Sequence, residues 1–259
     1  MLSPVLFIMY TNDLRWHTDA VHIFKYADDT AVVGLIKNSN DNEYFKCIEF
    51  VNNWCKEHFL KLNVSKTKEI VWDFRKRRHD TVPVTTDDNS VECVDRYKYL
   101  GLLMDDKLTF AYHVDCQLKK ANKRLYCIRT MKKLNINPSI IALFYNMTVP
   151  PVLMYSAITF YGILSILLKR ELDHPRKTCA RIVKECCDML HSNDGVYDNA
   201  MLRTAKKIIA DKIHPLNEFY NLLPSGRRFR LPRCRTERFR KTFLPLSINK
   251  VNDNMMLIT

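Results

Sequence analysis

Two short apolar runs, Val21-His22-Ile23-Phe24 and Ala31-Val32-Val33-Gly34, flank the polar tetrad Tyr26-Ala27-Asp28-Asp29. β-Branched residues on both sides of a tight acidic pair predict a hairpin over 20–36 with aspartate at its turn. Residues 1–19 read as the end of a helix and its exit loop. From 41 to 60, Tyr44, Ile48, Val51, Cys55 and Phe59 recur at helical spacing behind Asn40 and Asp41, which predicts an amphipathic helix with a polar cap. Ile70-Val71-Trp72 reads as a strand running into the basic stretch 75–78, 82–90 as a loop, and 97–104 as a second strand. Beyond Leu108 the pattern turns helical. Val114, Leu118, Ala121, Leu125 and Ile128 share one face, Asn137-Pro138 supplies a cap and a first-turn proline, and a further helix spans about 169–190. Strands layered with helices and then a run of helices give an α+β class.

One stretch invites a different reading. Residues 140–168 contain no charged side chain, and a membrane helix needs only about 20 apolar residues. Pro150-Pro151 divides the stretch into two pieces, each too short to cross, and Asn146, Thr148, Ser156 and Thr159 dilute it. A membrane-associated protein anchored through 140–168 is the weakest of three readings.

Composition narrows the partner. The 259 residues carry a net charge of +13, and such an excess points to a polyanion. The positive charge concentrates at 227–241, where Arg227, Arg228, Arg230, Arg233, Arg235, Arg238, Arg240 and Lys241 face only Glu237, with Phe229 and Phe239 between them. Basic residues interleaved with aromatics can neutralise phosphates and stack bases, so this segment is the candidate nucleic-acid binder. Its plain alternative is a solvated charge run. Only five glycines are present and no phosphate-binding glycine loop among them, so no small-molecule nucleotide cofactor is expected. Nine cysteines without a C-x-x-C spacing suggest reduced thiols and an intracellular setting. Cys179, Cys186, Cys187 and His191 match none of the usual zinc spacings.

The Asp28-Asp29 pair is where chemistry enters. Adjacent aspartates are common in surface turns, but Mg²⁺ takes hard oxygen ligands and needs only one or two carboxylates beside phosphate and water. The sequence 24–34 around the pair resembles the active-site motif of reverse transcriptases of non-LTR (LINE-type) retrotransposons. Residues 2–14, Leu2-Ser3-Pro4 onward, are similar to the end of the preceding motif. Leu62-Asn63-Val64-Ser65-Lys66-Thr67-Lys68-Glu69, with Asp73-Phe74-Arg75-Lys76, resembles a later one, and Tyr97-Lys98-Tyr99-Leu100-Gly101 resembles the primer grip.

The resemblance implies RNA-directed DNA synthesis with Mg²⁺, on an RNA template and a DNA primer. Asp28 and Asp29 would be the catalytic metal ligands, with Tyr26 and Ala27 shaping the hairpin beneath the primer end. Lys66 would lie near the incoming triphosphate, and Tyr99, Leu100 and Gly101 would form the primer grip. It also implies a partial palm at 1–107, a helical thumb at 108–190 and a basic C-terminal segment at 191–259. The family's first catalytic aspartate and its fingers lie upstream of Leu2-Ser3-Pro4. The expectation is therefore weak Mg²⁺ binding and no polymerase activity from the isolated chain, with non-catalytic nucleic-acid binding as the alternative. Oligomeric state is left open.

Overall fold

The computed structural model describes residues 3–16, 18–37, 40–75, 83–86 and 89–256. The chain divides into two compact units, Met1–Tyr97 and Lys98–Thr259. Its mixture of small strand pairs and helices is α+β.

In the first unit, helix α1 (Ser3–Tyr10) precedes strands β1 (Val21–Tyr26) and β2 (Asp29–Gly34), which pair antiparallel from Val21↔Gly34 to Tyr26↔Asp29. Alternation places Val21 and Ile23 on the face that packs with Val32 against helix α2 (Asn42–Glu57). That helix buries Cys47, Val51, Trp54 and Cys55, and Leu14 completes the small core. The sequence pattern carried the helix to 60, but it stops at Glu57. Phe59 adopts φ 53°, Leu60 N–H returns to the Cys55 carbonyl at 2.8 Å and Phe59 N–H to that of Lys56 at 3.2 Å. This is a Schellman ending with phenylalanine where glycine is usual, and it leaves Phe59 exposed.

The expected strand at 70–72 is also displaced. A strand needs a partner ladder, and Lys68–Glu69 (β3) is the pair that finds one. It runs parallel to Glu92–Cys93 (β6), while 70–72 lie outside any strand. The expected loop at 82–90 instead contains the antiparallel pair Thr85–Thr86 (β4) and Asn89–Ser90 (β5), fixed by Val91 N–H on the Val84 carbonyl at 2.8 Å. Part of that loop and most of the basic run at 75–78 lie outside the described residues. The single strand expected at 97–104 is a hairpin, β7 (Arg96–Tyr99) and β8 (Leu102–Asp105), turning at Leu100-Gly101.

The second unit is helical. Helix α3 (Ala111–Lys133) packs against α4 (Pro138–Thr148), α5 (Pro150–Leu153) and α7 (Ile166–Val183), with α6 (Ala157–Phe160) and a 3₁₀ turn at Tyr161–Ile163 between the last two. The cap read from Asn137-Pro138 is present, Asn137 accepting from Ser139 N–H. The uncharged run supplies much of the core: Ile141, Ala142, Tyr145, Val149, Leu153, Phe160 and Tyr161 are buried. No single helix among the described residues is long and apolar enough to cross a membrane. Pro138–Leu153 and Ala157–Ile163 reach that length only together, bent by 50°. The helix expected at 169–190 begins earlier, at Ile166, and gives way to a 3₁₀ stretch, Lys184–Met189. Helices α8 (Asn193–Ala210), α9 (Glu237–Arg240) and α10 (Phe243–Met256) follow. Residues 191–259 are thus largely folded: α8 and α10 bury Ala205, Ile208, Ile248 and Val251 with Tyr220 and Phe229.

Two closely packed positions make this unit sensitive. A Cβ on Gly162 would sit 2.3 Å from the Lys241 carbonyl oxygen and 2.9 Å from the Tyr197 hydroxyl. Gly162→Ala is expected to cost about 1–3 kcal/mol, as overpacking does, and a thermal melt matching wild type would refute the close approach. His113 is buried on α3, its Nδ1 accepting from Leu103 N–H at 3.3 Å and its ring edge-on to Phe160. Burial, then Lys120, push it down to about 4. The folded state therefore resists protonation, so this contribution is complete above the unfolded value near 6.5 and drains away as pH falls toward 4, at most about 1.4 kcal/mol per unit. Wild type should lose more melting temperature between pH 7.5 and 5 than His113→Asn does. Parallel pH curves would show that the histidine does not titrate with unfolding.

Candidate active site and nucleic-acid interface

The β1–β2 register leaves a two-residue loop, Ala27-Asp28, closed by the Tyr26↔Asp29 pair. Ala27 has φ 53° and is the only residue of the loop with positive φ. Positive φ at the first centre alone is the sign pattern of a II′ hairpin turn, where glycine is usual. An alanine there costs roughly 1–2 kcal/mol, which the paired strands and the packing of α2 hold in place. Asp28 and Asp29 are both exposed, and among the described residues neither is paired with a cation. Tyr26 is exposed beside them, as is Phe24, so the open face of the hairpin is aromatic.

The hairpin is tied down from its other face. The Lys25 ammonium donates to the Thr11 carbonyl just past α1, and burial, then the nearby Arg15, lower its pKa while Asp13 opposes them. Asp13 is itself engaged by Trp54 Nε1 at 3.3 Å and His58 Nε2 at 3.2 Å.

Lys66 sits on the turn that begins at Asn63, whose side-chain oxygen accepts from Lys66 N–H and Ser65 Oγ. Its side chain is exposed, and no carboxylate pairs with it among the described residues. Lys68, by contrast, is bound to Glu92 at 2.6 Å. Glu69 is turned inward, and burial raises its pKa. It accepts from the Tyr44 hydroxyl at 3.1 Å through one oxygen, and the other is buried.

At the second turn, Leu100 and Gly101 both have positive φ, 46° and 86°. Tyr155 holds this turn: its hydroxyl donates to the Leu100 carbonyl at 2.7 Å, and its ring lies 3.1 Å from where a Gly101 Cβ would stand. Tyr99 is half-buried. No local pattern pointed to Tyr155, which lies inside the uncharged run and 54 residues beyond Gly101.

The basic segment does not behave as one cluster. Phe229 is a core residue rather than a base-stacking one, edge-on to Tyr220, whereas Phe239 is partly exposed. Arg238 is a structural staple, its guanidinium donating to the carbonyls of Lys107 at 2.6 Å and Leu108 at 2.9 Å. Arg240 and Lys241 are paired with Glu237 at 3.1 and 3.5 Å. Arg227, Arg230, Arg233 and Arg235 are exposed and have no carboxylate partner among the described residues. Arg228 is exposed as well. The cysteine–histidine set weighed from the sequence forms no metal-binding group, and among the described residues no three His, Cys, Asp or Glu side chains are gathered to hold an ion.

Comparison with known proteins matches residues 1–104 to the reverse transcriptase (RNA-dependent DNA polymerase) family. Over 126 residues, 44% of this chain, it is 29% identical to the RNA-directed DNA polymerase from mobile element jockey of Drosophila melanogaster. Over 142 residues, 50% of the chain, it is 26% identical to a probable RNA-directed DNA polymerase from transposon BS of the same species. These matches span 13% and 15% of those proteins. No solved structure matches. Residues 1–104, which carry the acidic hairpin, thus match the reverse transcriptase family, and the relatives they resemble are RNA-directed DNA polymerases of mobile elements.

Proposed function

We propose that this chain carries part of the catalytic centre of an RNA-directed DNA polymerase of a non-LTR mobile element, acting on an RNA template and a DNA primer. The observation that carries the reading is the β1–β2 register, which sets two adjacent, exposed carboxylates, without a cation partner among the described residues, at the hairpin tip within the family-matched residues. Hard oxygens facing solvent fit Mg²⁺, which fills its remaining positions with water and phosphate. Asp28 and Asp29 would hold it. Bound there, the metal would supply charge stabilisation for the attacking primer hydroxyl and the departing pyrophosphate oxygens.

The protein's own groups orient the reactants. The strained Ala27 turn fixes where the two acids stand. Tyr26 offers an exposed ring for the primer end, and Lys66 offers an exposed ammonium to the triphosphate, where it offsets charge without a fixed geometry. Leu100 and Gly101, stiffened by Tyr155, present backbone to the primer strand.

A second reading is favoured for the chain acting alone. Two carboxylates without a third acid grouped beside them among the described residues make half of a two-metal site. Such a chain would bind nucleic acid without extending it.

Two measurements separate these statements. Mn²⁺ shares the octahedral oxygen preference of Mg²⁺ and reports through water-proton relaxation. Weak Mn²⁺ binding should be present in the purified chain and lost in Asp28→Asn, and equal binding by both would remove Asp28 as a ligand. Primer extension on an RNA template is expected to yield no product from the chain alone. Product that vanishes in Asp28→Asn would instead show that the chain completes the metal site by itself.

A further inference from the structure

Residues 221–230 form a small hairpin. Leu222 bridges Phe229, Leu223 N–H donates to the Arg228 carbonyl at 2.8 Å, and Arg230 N–H to that of Asn221 at 2.7 Å. Its tip turns through Pro224-Ser225, with Gly226 N–H on the Leu223 carbonyl at 2.8 Å and proline at the first corner, where its fixed φ suits the turn.

Two features make this hairpin more than a charged loop. The first is anchorage. Phe229 is buried among Tyr220, Ile248 and Val251. Its backbone is clamped by the side chain of Asn252 on α10: Phe229 N–H donates to Asn252 Oδ1 at 2.7 Å, and Asn252 Nδ2 donates to the Phe229 carbonyl at 3.0 Å. The amide thus imitates a neighbouring strand in a buried setting, where an unmatched polar group would cost about 1–3 kcal/mol. The second is the pleat. Successive residues of an extended segment face opposite ways, so burying Phe229 turns Arg228 and Arg230 to solvent, with Arg227 beside them at the tip. All three are exposed, and no carboxylate pairs with Arg227 or Arg230 among the described residues.

We propose that this Asn252-anchored hairpin is a nucleic-acid contact in which Arg227, Arg228 and Arg230 bind the phosphate backbone. Guanidinium groups fit phosphate oxygens with two parallel hydrogen bonds, and a rigid display lowers the entropy lost on binding. A nucleic-acid strand is favoured over an anionic membrane because three exposed guanidinium groups outnumber the exposed aliphatic side chains beside them, Leu222 and Leu231, and the hairpin's large aromatic, Phe229, is buried. Asn252 is the positioning residue. The proposal goes beyond the polymerase reading and does not depend on Asp28 or Asp29.

The test is fluorescence anisotropy of the full chain with a short labelled RNA–DNA duplex across a salt series. Each phosphate contact contributes about 0.9 to the slope of log affinity against log salt, so Arg227→Gln/Arg230→Gln should lower that slope by about 2. Asn252→Leu keeps the net charge and should still weaken binding, while Arg238→Lys should lower the melting temperature and leave the slope alone. An unchanged slope in the double arginine variant would overturn the proposal. So would undiminished affinity in a folded Asn252→Leu protein, or binding to anionic phospholipid vesicles in preference to the duplex. The salt series is read without divalent metal or nucleotide, so failure of the polymerase reading would not be mistaken for failure of this one.

Discussion

The acidic site depends on one register. Pairing Tyr26 with Asp29 and Val21 with Gly34 confines the turn to two residues and sends Val21 and Ile23 into the core beneath α2. A slip of one residue would exchange the faces, exposing Val21 and carrying Tyr26 inward. The apolar contacts with Cys47, Val51 and Trp54 forbid that slip. They act at a distance from the acids, yet they decide where the acids stand. The left-handed Ala27 is the local cost of a loop this short. Lys25 adds a polar tie at the point where the apolar face of β1 runs out, so the strand is held along its whole length and the tip alone is open.

The second unit gives the uncharged run a structural explanation. Residues 140–168 are apolar because α4, α5 and α6 contribute buried side chains to one core shared with α3 and α7. The prolines at 150 and 151 start one of those pieces, α5, where a first-turn proline loses no hydrogen bond it would otherwise make. The turn at Leu100-Gly101 draws on the same packing, since Tyr155 leaves the run to bond the Leu100 carbonyl. His113 works in the same way from α3, spending a buried ring nitrogen on the backbone of β8.

Much of this was legible in the sequence, and the misses have physical causes. The β1–β2 hairpin, α2, α3 and the cap of α4 followed from periodicity and turn chemistry, because each buries a single clean face. Short strands failed: Lys68–Glu69 pairs as β3 despite two charged residues, while the apolar 70–72 does not pair, since a ladder depends on a partner remote in sequence. The folded nature of 191–259 was signalled by Tyr197, Met201, Ala205 and Ile208 at helical spacing, a pattern overshadowed by the arginines that follow. In the site, the acids and Gly101 could be read locally. Tyr155 and Asn252 could not, because each acts on backbone brought to it only by the fold.

The basic segment shows why a count of charges is a poor guide to their roles. Eight cationic side chains within 227–241 look equivalent in sequence, yet their partners divide them. Arg238 is committed to two main-chain carbonyls, and a guanidinium saturated in this way has fewer donors left for a phosphate. Arg240 and Lys241 share Glu237, at the exposed surface where such pairs contribute little to stability but still offset local charge. What remains at the hairpin is set by Phe229: as a core residue it decides which neighbours must face outward. The aromatic that suggested base stacking is instead the inward anchor that turns the adjacent arginines to solvent.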